Sequence, residues 1–115
     1  MKFADENVSG MVVGHKETFV DKIVEWAKDK GITNPENAPK QYMKFQEEAG
    51  ELSAAINKEQ RDKIIDSIGD VQVTLIILAE QLGVDYNEAL QIAYDEIKNR
   101  KGKTKNGVFV KAEDM

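Results

Sequence analysis

Five acidic side chains near the middle of the chain are spaced so that they could act together on a cation. Glu51 follows Glu48 by three residues and Glu47 by four, and Asp70 follows Asp66 by four. On an α-helix, such spacings place each set within an arc of about 100°. Carboxylate oxygens are the hard ligands that Mg²⁺ prefers, with Mn²⁺ as an alternative. The spacing therefore predicts a divalent-metal site, provided that the two sets lie on neighbouring helices.

A simpler interpretation of the same pattern is a solvated face, because acidic residues on amphipathic helices usually point to solvent. Two observations favour the metal site. Small residues adjoin the acids, namely Ala49, Gly50 and Gly69. Basic residues one helical turn away, which would mark ordinary surface ion pairs, are few, with Lys44 and Lys63 as the exceptions. On antiparallel helices these carboxylates would converge and repel one another without cations.

Apolar periodicity predicts the helices that carry these acids. A first helix is predicted from Thr18 to about Lys30, and a second begins near Pro39, which suits a first helical turn. The apolar stripes of the second and third helices differ in phase by roughly 90°. One straight helix could not bury both stripes, so we predict a break within residues 57–60 and a helical hairpin. The stripes consist of Phe45, Ala49, Leu52 and Ile56, and of Ile64, Ile68, Val71, Leu75, Leu78 and Leu82.

The third helix is apolar around most of its circumference, which indicates burial on more than one side, as a dimer interface would supply. After Gly83, Asp85 and Glu88 resemble a capping box that starts a fourth helix, reaching about Lys101. We expect an all-α fold of antiparallel helical hairpins, forming a four-helix-type bundle completed by oligomerisation into a homodimer or homotetramer. The predicted divisions are an N-terminal arm (1–17), a helical domain (18–101) and a C-terminal tail (102–115), a loop ending in a short extended piece.

Composition narrows the classes of function. The 115 residues include no cysteine, which excludes thiolate metal sites, disulfides and cysteine nucleophiles. The net charge of -5 argues against a nucleic-acid polymer as partner and fits a small phosphorylated ligand better. No apolar run approaches a membrane span and no secretory signal is evident, so we expect no membrane partner and a cytoplasmic location.

Two segments together resemble a known family. The run Gln46-Glu47-Glu48-Ala49-Gly50-Glu51-Leu52, followed by Ile68-Gly69-Asp70-Val71 on the next helix, resembles the MazG-like all-α nucleoside triphosphate pyrophosphohydrolases. That family carries ExxE and ExxD motifs on adjacent helices. Glu48 and Glu51 match ExxE, and Asp70 matches the last acid of ExxD. Ser67 stands where the first acid of ExxD belongs, and Asp66 is one residue earlier. The resemblance covers residues 40 to about 101.

The resemblance implies Mg²⁺-dependent hydrolysis of nucleoside triphosphates, often deoxy forms, to the monophosphate and pyrophosphate. It implies metal binding by Glu48, Glu51 and Asp70, with Asp66 as a fourth ligand directly or through water. Glu47 would then orient the attacking water or support a ligand, so that Glu47, Glu48 and Glu51 form the catalytic set.

Cations for the substrate phosphates are expected at Lys44, which is one turn before Glu48, and at Lys98, Arg100 and Lys101, which close the fourth helix. The competing interpretation of the latter group is that cations are favoured at any helix C-terminus. Many family members have asparagine near the position of Asp95, so this contact differs here. Trp26 could stack on the base, although its helical spacing among apolar residues also fits a core position.

Two other functions remain open from the sequence. One is a helical interaction module without catalysis, in which the third helix would be the partner site. The other is a hydrolase of a different phosphorylated small molecule on the same scaffold. The sequence leaves open the base and sugar preference, the number of metals, the choice between dimer and tetramer, and the role of the N-terminal arm.

Overall fold

The computed structural model describes residues 6–8, 11–12 and 17–115, and helices dominate the described part. The α-helices are α1 (Phe19–Asp29), α2 (Ala38–Asn57), α3 (Arg61–Gln81) and α4 (Tyr86–Ile97). Short 3₁₀ helices cover Pro35–Asn37 and Ala112–Asp114. The strands form two antiparallel pairs, β1 (Glu6–Val8) with β2 (Met11–Val12), and β3 (Gly102–Lys105) with β4 (Val108–Lys111).

The hairpin of α2 and α3 is the centre of the fold, and its break falls where the stripe phases predict it. Helix α2 ends at Asn57 and α3 begins at Arg61. Glu59 adopts a left-handed conformation with φ 53°. The backbone N–H of Gln60 then donates to the carbonyl of Ala55 at 3.0 Å. This is the hydrogen bond that commonly closes a helix at a left-handed residue. Glu59 therefore ends α2 without the glycine that usually occupies such a position.

Side-chain hydrogen bonds attach the other elements to α3. The Gln81 amide donates to the carbonyl of Ile32, just after α1, at 2.9 Å. The Gln41 amide donates from α2 to the carbonyl of Thr74 at 3.1 Å. Because Gln81 and Thr74 are buried, these bonds form in a low dielectric environment and fix how α1 and α2 lie against α3.

Helix α1 starts as its sequence predicts. Thr18 is the N-cap, and its hydroxyl accepts from the Asp21 N–H at 3.2 Å. The Asp21 carboxylate accepts from the Thr18 N–H at 3.0 Å, which completes a capping box. Gly31, with φ 71°, follows the helix and allows the Ile32 N–H to bond back to Ala27. The predicted bounds are correct to within one residue at each end.

The C-terminal part departs from the expected fold. Helix α4 ends at Ile97, earlier than the predicted Lys101, and the tail is a β-hairpin. Asn106 and Gly107 both have positive φ, 53° and 79°, as the tight turn of a hairpin requires. The expected extended piece at Val108 is strand β4, but its pairing with β3 was not predicted. The described part of the fold is thus mostly helical, with two small two-stranded sheets.

Apolar packing is concentrated on α3. Among the described residues, the buried apolar side chains include Ile76, Ile77 and Leu78 of α3, with Ala27 of α1 and Ala55 of α2. Helix α4 has no buried residue. Large apolar side chains of the predicted stripes remain exposed, for example Ile56 at 54% and Leu82 at 59%. A single chain therefore contains the central hairpin of a bundle but leaves one apolar side uncovered.

The predicted N-terminal arm falls largely outside the described residues, apart from the backbone of β1 and β2. Within the part of the chain that the structure describes, no single helix is long and apolar enough to span a membrane. Helices α3 and α4 together would pass on length and composition alone, but they are bent by 105° relative to each other.

Candidate active site

A polar cavity of about 340 Å³ opens beside the turn between α2 and α3. Three of the five predicted acids line it: Glu51 from α2, and Asp66 and Asp70 from α3. The antiparallel hairpin explains this grouping, since the last turns of α2 lie next to the first turns of α3. Asp66 and Asp70 are one turn apart on the same face, so both reach the cavity. The hairpin therefore brings Glu51 to the same cavity as Asp66 and Asp70.

Ser67 forms part of the cavity wall and is itself buried, with 8% of its surface exposed. It occupies the position at which the resemblance leads one to expect an acid. Asp66, its neighbour, is exposed and lines the same cavity. Because a buried carboxylate would need a partner whereas a buried hydroxyl is readily satisfied, the serine suits its buried position, and Asp66 keeps an acid at the cavity.

Glu47 and Glu48 lie outside the lining of this cavity and face Lys44 on the same helix. The Lys44 ammonium group is 3.4 Å from Glu47 and 3.6 Å from Glu48. The side chain of Glu48 is only 12% exposed, whereas that of Glu47 is 63% exposed. The hydrogen bond to Glu47 and the charges of Glu47 and Glu48 raise the pKa of Lys44 above its ordinary 10.5. Lys44 thus forms ion pairs with two of the predicted acids.

The donor set of the cavity has the chemistry that a hard divalent cation requires. Glu51, Asp66 and Asp70 supply carboxylate oxygens, and Glu48 stands one turn before Glu51 on α2. Among the described residues, however, no three acid or histidine side chains come close enough together to hold one ion. The residues therefore fit Mg²⁺ by type and by shared location.

Two lysines of the same cavity, Lys58 and Lys63, were not among the predicted site residues. Lys58 is the C-cap of α2, and Lys63 lies in the first turn of α3. The sequence contained the signal, since a break within residues 57–60 places the residues that flank it beside the acids of both helices.

The predicted phosphate-binding cations at the end of α4 lie in a separate region. Lys98 pairs with Asp95 at 3.1 Å, and Arg100 pairs with Glu96 at 3.3 Å. Arg100 and Lys101 line another cavity of about 250 Å³, with Lys111 of β4. Helix α3 continues for eleven residues beyond Asp70, or about 16 Å at the helical rise, before α4 turns away by 105°. The structure does not group these cations with the acids of the same chain.

Trp26 is half exposed, at 50%, and lines a shallow apolar cavity with Ile23 and Val73. It is therefore not a core residue of the single chain. Its cavity is distinct from the one that Glu51 and Asp70 line, so base stacking by Trp26 stays a prediction.

A second polar cavity, of about 490 Å³, lies between α1 and the start of α4, and it is also rich in acids. Several of these acids already serve the backbone or a lysine. Asp21 belongs to the capping box of α1, and Asp85 caps α4 by accepting from the Glu88 N–H at 3.0 Å. Glu80 pairs with Lys28 at 3.5 Å. These structural roles make this cavity a weaker candidate than the one at the hairpin turn.

Comparison with known proteins finds a family whose domain spans α2, α3 and α4. The model of the MazG nucleotide pyrophosphohydrolase domain matches residues 38–104, which include α2, α3, α4 and most of β3. An uncharacterized 18.2 kDa protein from the rep-hol intergenic region of Haemophilus phage HP1 (strain HP1c1) is 38% identical over 69 residues. That match covers 60% of this chain and 42% of the phage protein, less than half of its length. No solved structure matches the chain. Since the family model covers more than half of the sequence, including both acidic segments, the chain belongs to the MazG nucleotide pyrophosphohydrolase domain family.

Proposed function

We propose that this protein hydrolyses nucleoside triphosphates, including deoxy forms, to the monophosphate and pyrophosphate, and that the reaction requires Mg²⁺. The observation that carries the proposal is the cavity at the turn of the α2–α3 hairpin. Acids from both motif segments line it: Glu51 from the first, and Asp66 and Asp70 from the second. Family membership supports the reaction class, and the cavity is where we propose that the reaction takes place on this chain.

Glu51 and Asp70 are the proposed principal metal ligands, with Asp66 in the place that Ser67 leaves vacant in the motif. Glu48 is a further oxygen donor one turn from Glu51, and its use as a ligand requires its ion pair with Lys44 to break. When bound there, Mg²⁺ would neutralise phosphate charge and lower the pKa of a coordinated water.

Hydrolysis at the α-phosphorus forms a bond from a water oxygen to phosphorus and breaks the bond to the bridging oxygen. The electron pair of the broken bond leaves with pyrophosphate, and the proton of the water passes to a carboxylate or to solvent. Glu47, which is exposed on α2 beside this region, is the proposed residue that orients the water. The role needs only a carboxylate within hydrogen-bond reach of the water.

The direct test is pyrophosphate release from the eight common nucleoside and deoxynucleoside triphosphates, with Mg²⁺ and with EDTA. We expect release with Mg²⁺ only, with the monophosphate as the second product, and loss of release in Glu51→Gln. Glu25→Gln is the matched control, because Glu25 is an exposed helical acid that lines the larger cavity. Loss of activity in Glu25→Gln but not in Glu51→Gln would contradict the proposal, because the reaction would then take place in the larger cavity and not at the hairpin turn.

We also propose that a second copy of the chain covers the apolar side of α3 and α4. An apolar groove of about 370 Å³ lies between these helices, lined by residues that include Leu75, Leu82 and Leu90. Leu90 is 60% exposed in the single chain. Both walls of the groove come from one chain, so two copies related by a two-fold axis could present the same surface to each other. Burial of this surface would complete the four-helix packing.

The alternative function, an interaction module without catalysis, is supported by the same apolar groove. A second copy explains that groove without a foreign partner, and the module leaves the three acids at the hairpin turn unexplained. A hydrolase of another phosphorylated small molecule would use the same cavity. The nucleotide panel separates it from the leading proposal, because such an enzyme would release pyrophosphate from none of the eight substrates.

A further inference from the structure

We propose that Lys58 and Lys63 bind the phosphate groups that leave as pyrophosphate, in place of the cations at the end of α4. This inference rests on the proposed function for its substrate, but it rests on separate observations for its residues. Both lysines line the cavity that Glu51, Asp66 and Asp70 also line. Neither was expected from the motifs, which contain acids only.

The first argument is that these lysines have no other electrostatic role within residues 17–115. The ion pairs of this region involve Lys28, Lys44, Lys98, Arg100 and Lys111, and neither Lys58 nor Lys63 is among them. Three cations that were expected to bind phosphate are instead paired with acids three or four residues away in the chain: Lys44, Lys98 and Arg100. Lys58 and Lys63 are therefore available for a ligand and, unlike the unpaired Lys40 and Lys101, they line the cavity of the acids.

The second argument concerns the position of Lys63 on its helix. Lys63 is the third residue of α3, in the first turn, where the helix dipole disfavours a positive charge. A contribution to helix stability does not explain a lysine at this position. Lys58 differs, since a cation at the C-cap of α2 is favoured by the dipole. Binding of an anion accounts for both residues together.

The third argument is the charge of the cavity. Three carboxylates and two ammonium groups line it, which leaves one net negative charge and would repel a polyphosphate. A bound divalent cation reverses that sign. The acids and the lysines thus have different roles in the proposal. The acids would hold the cation near the α-phosphorus, and the lysines would contact the β- and γ-phosphate oxygens. When the bond to the α-phosphorus breaks, the lysines stabilise the charge that the pyrophosphate gains.

The test measures binding of inorganic pyrophosphate to the full chain by calorimetry, with Mg²⁺ and with EDTA. We expect the Lys58→Gln/Lys63→Gln double variant to bind pyrophosphate at least tenfold more weakly with Mg²⁺, since each lost contact is a charge-assisted hydrogen bond. Lys40→Gln is the matched control, because Lys40 is an exposed, unpaired lysine near the other end of α2. The control should bind as the wild type does. Thermal unfolding checks that each variant is folded, and Lys63→Gln should not lower the midpoint.

A second double variant, Lys98→Gln/Lys101→Gln, tests by the same binding measurement whether the cations at the end of α4 bind the phosphates instead. If this variant loses pyrophosphate binding and the Lys58/Lys63 variant retains it, the proposal is overturned and the end of α4 binds the phosphates. Failure of the wild type to bind pyrophosphate would also overturn it. If the wild type binds pyrophosphate through Lys58 and Lys63 but releases none from any nucleotide, the subsite stands and the proposed reaction fails.

Discussion

Replacing Asp70 with asparagine should leave the stability of the metal-free protein almost unchanged and remove most of the stability that the wild type gains from Mg²⁺. Glu51, Asp66 and Asp70 surround a cavity of about 340 Å³. If this volume is treated as a sphere, it is about 9 Å across, and two unit charges at that distance in water repel by about 0.5 kcal/mol. Asp70 faces two such neighbours, but Lys58 and Lys63 line the same cavity and attract Asp70 by a similar amount. Asp70→Asn should therefore change the stability of the metal-free protein by less than about 0.5 kcal/mol.

Salt and magnesium each provide a check on this reasoning. The cavity is about as wide as the Debye length at physiological ionic strength, so screening should reduce even this small change to about a third. The wild type should gain stability from Mg²⁺, by about 1.4 kcal/mol at ten times the dissociation constant. The variant should lose most of that gain. Pyrophosphate release should fall by about two to three orders of magnitude, as when one stabilising charge is removed from an active site.

The assay is thermal unfolding at fixed protein concentration, with EDTA and over a Mg²⁺ titration. A difference of 1 kcal/mol moves the midpoint of a domain of this size by about 4–8 °C, well within measurement. Asp62→Asn is the control, because Asp62 is an exposed acid in the first turn of α3 and is absent from the cavity lining. It should lose a little stability in both conditions through the helix dipole. An unchanged Mg²⁺ response in Asp70→Asn would refute the assignment of this cavity as the metal site.

Four further predictions follow from other parts of the structure. Glu59→Gly should raise the free energy of unfolding by about 0.5–1 kcal/mol in denaturant titrations, because Glu59 holds φ 53° at a cost that glycine avoids; an unchanged midpoint would argue against that conformation. Gly102→Ala should destabilise the C-terminal hairpin by about 1–3 kcal/mol, seen as faster amide exchange, because its Cβ would overlap the carbonyl oxygen of Val110 and approach the Phe109 ring to 2.7 Å. Leu90→Asp should shift the protein from dimer or tetramer to monomer in analytical ultracentrifugation while leaving the helical circular dichroism intact, since Leu90 is 60% exposed in one chain; a monomeric wild type would contradict the two-fold packing. The raised pKa of Lys44 means that its stabilising contribution is complete below pH 10.5 and is lost as pH rises through the higher folded-state value, so Lys44→Gln should leave the shape of the stability profile between pH 6 and about 9 unchanged and alter it only in more alkaline solution.

The sequence by itself determined the elements whose signals are local. Thr18 and Asp21 form their capping box, and Asp85 caps α4, because each bond joins residues three positions apart. The break between α2 and α3 followed from the phase of two apolar stripes. The antiparallel arrangement of the two helices then placed Glu51 near Asp66 and Asp70. Pairing of β3 with β4 was missed, although Asn106-Gly107 is a strong turn signal.

Only the tertiary structure decided which charges share a cavity and which neutralise one another. Lys58 and Lys63 lie beside the acids because two helices meet at the turn, whereas Lys98 and Arg100, which looked equally suitable in the sequence, pair with Asp95 and Glu96. Glu48 matches the motif as well as Glu51 does, yet it is buried against Lys44. Spacing along one helix fixes the face on which a side chain lies. What that face contacts depends on the opposing helix, on the bend of 105° before α4 and on the exposure of each side chain. All three result from contacts between residues that are far apart in the chain.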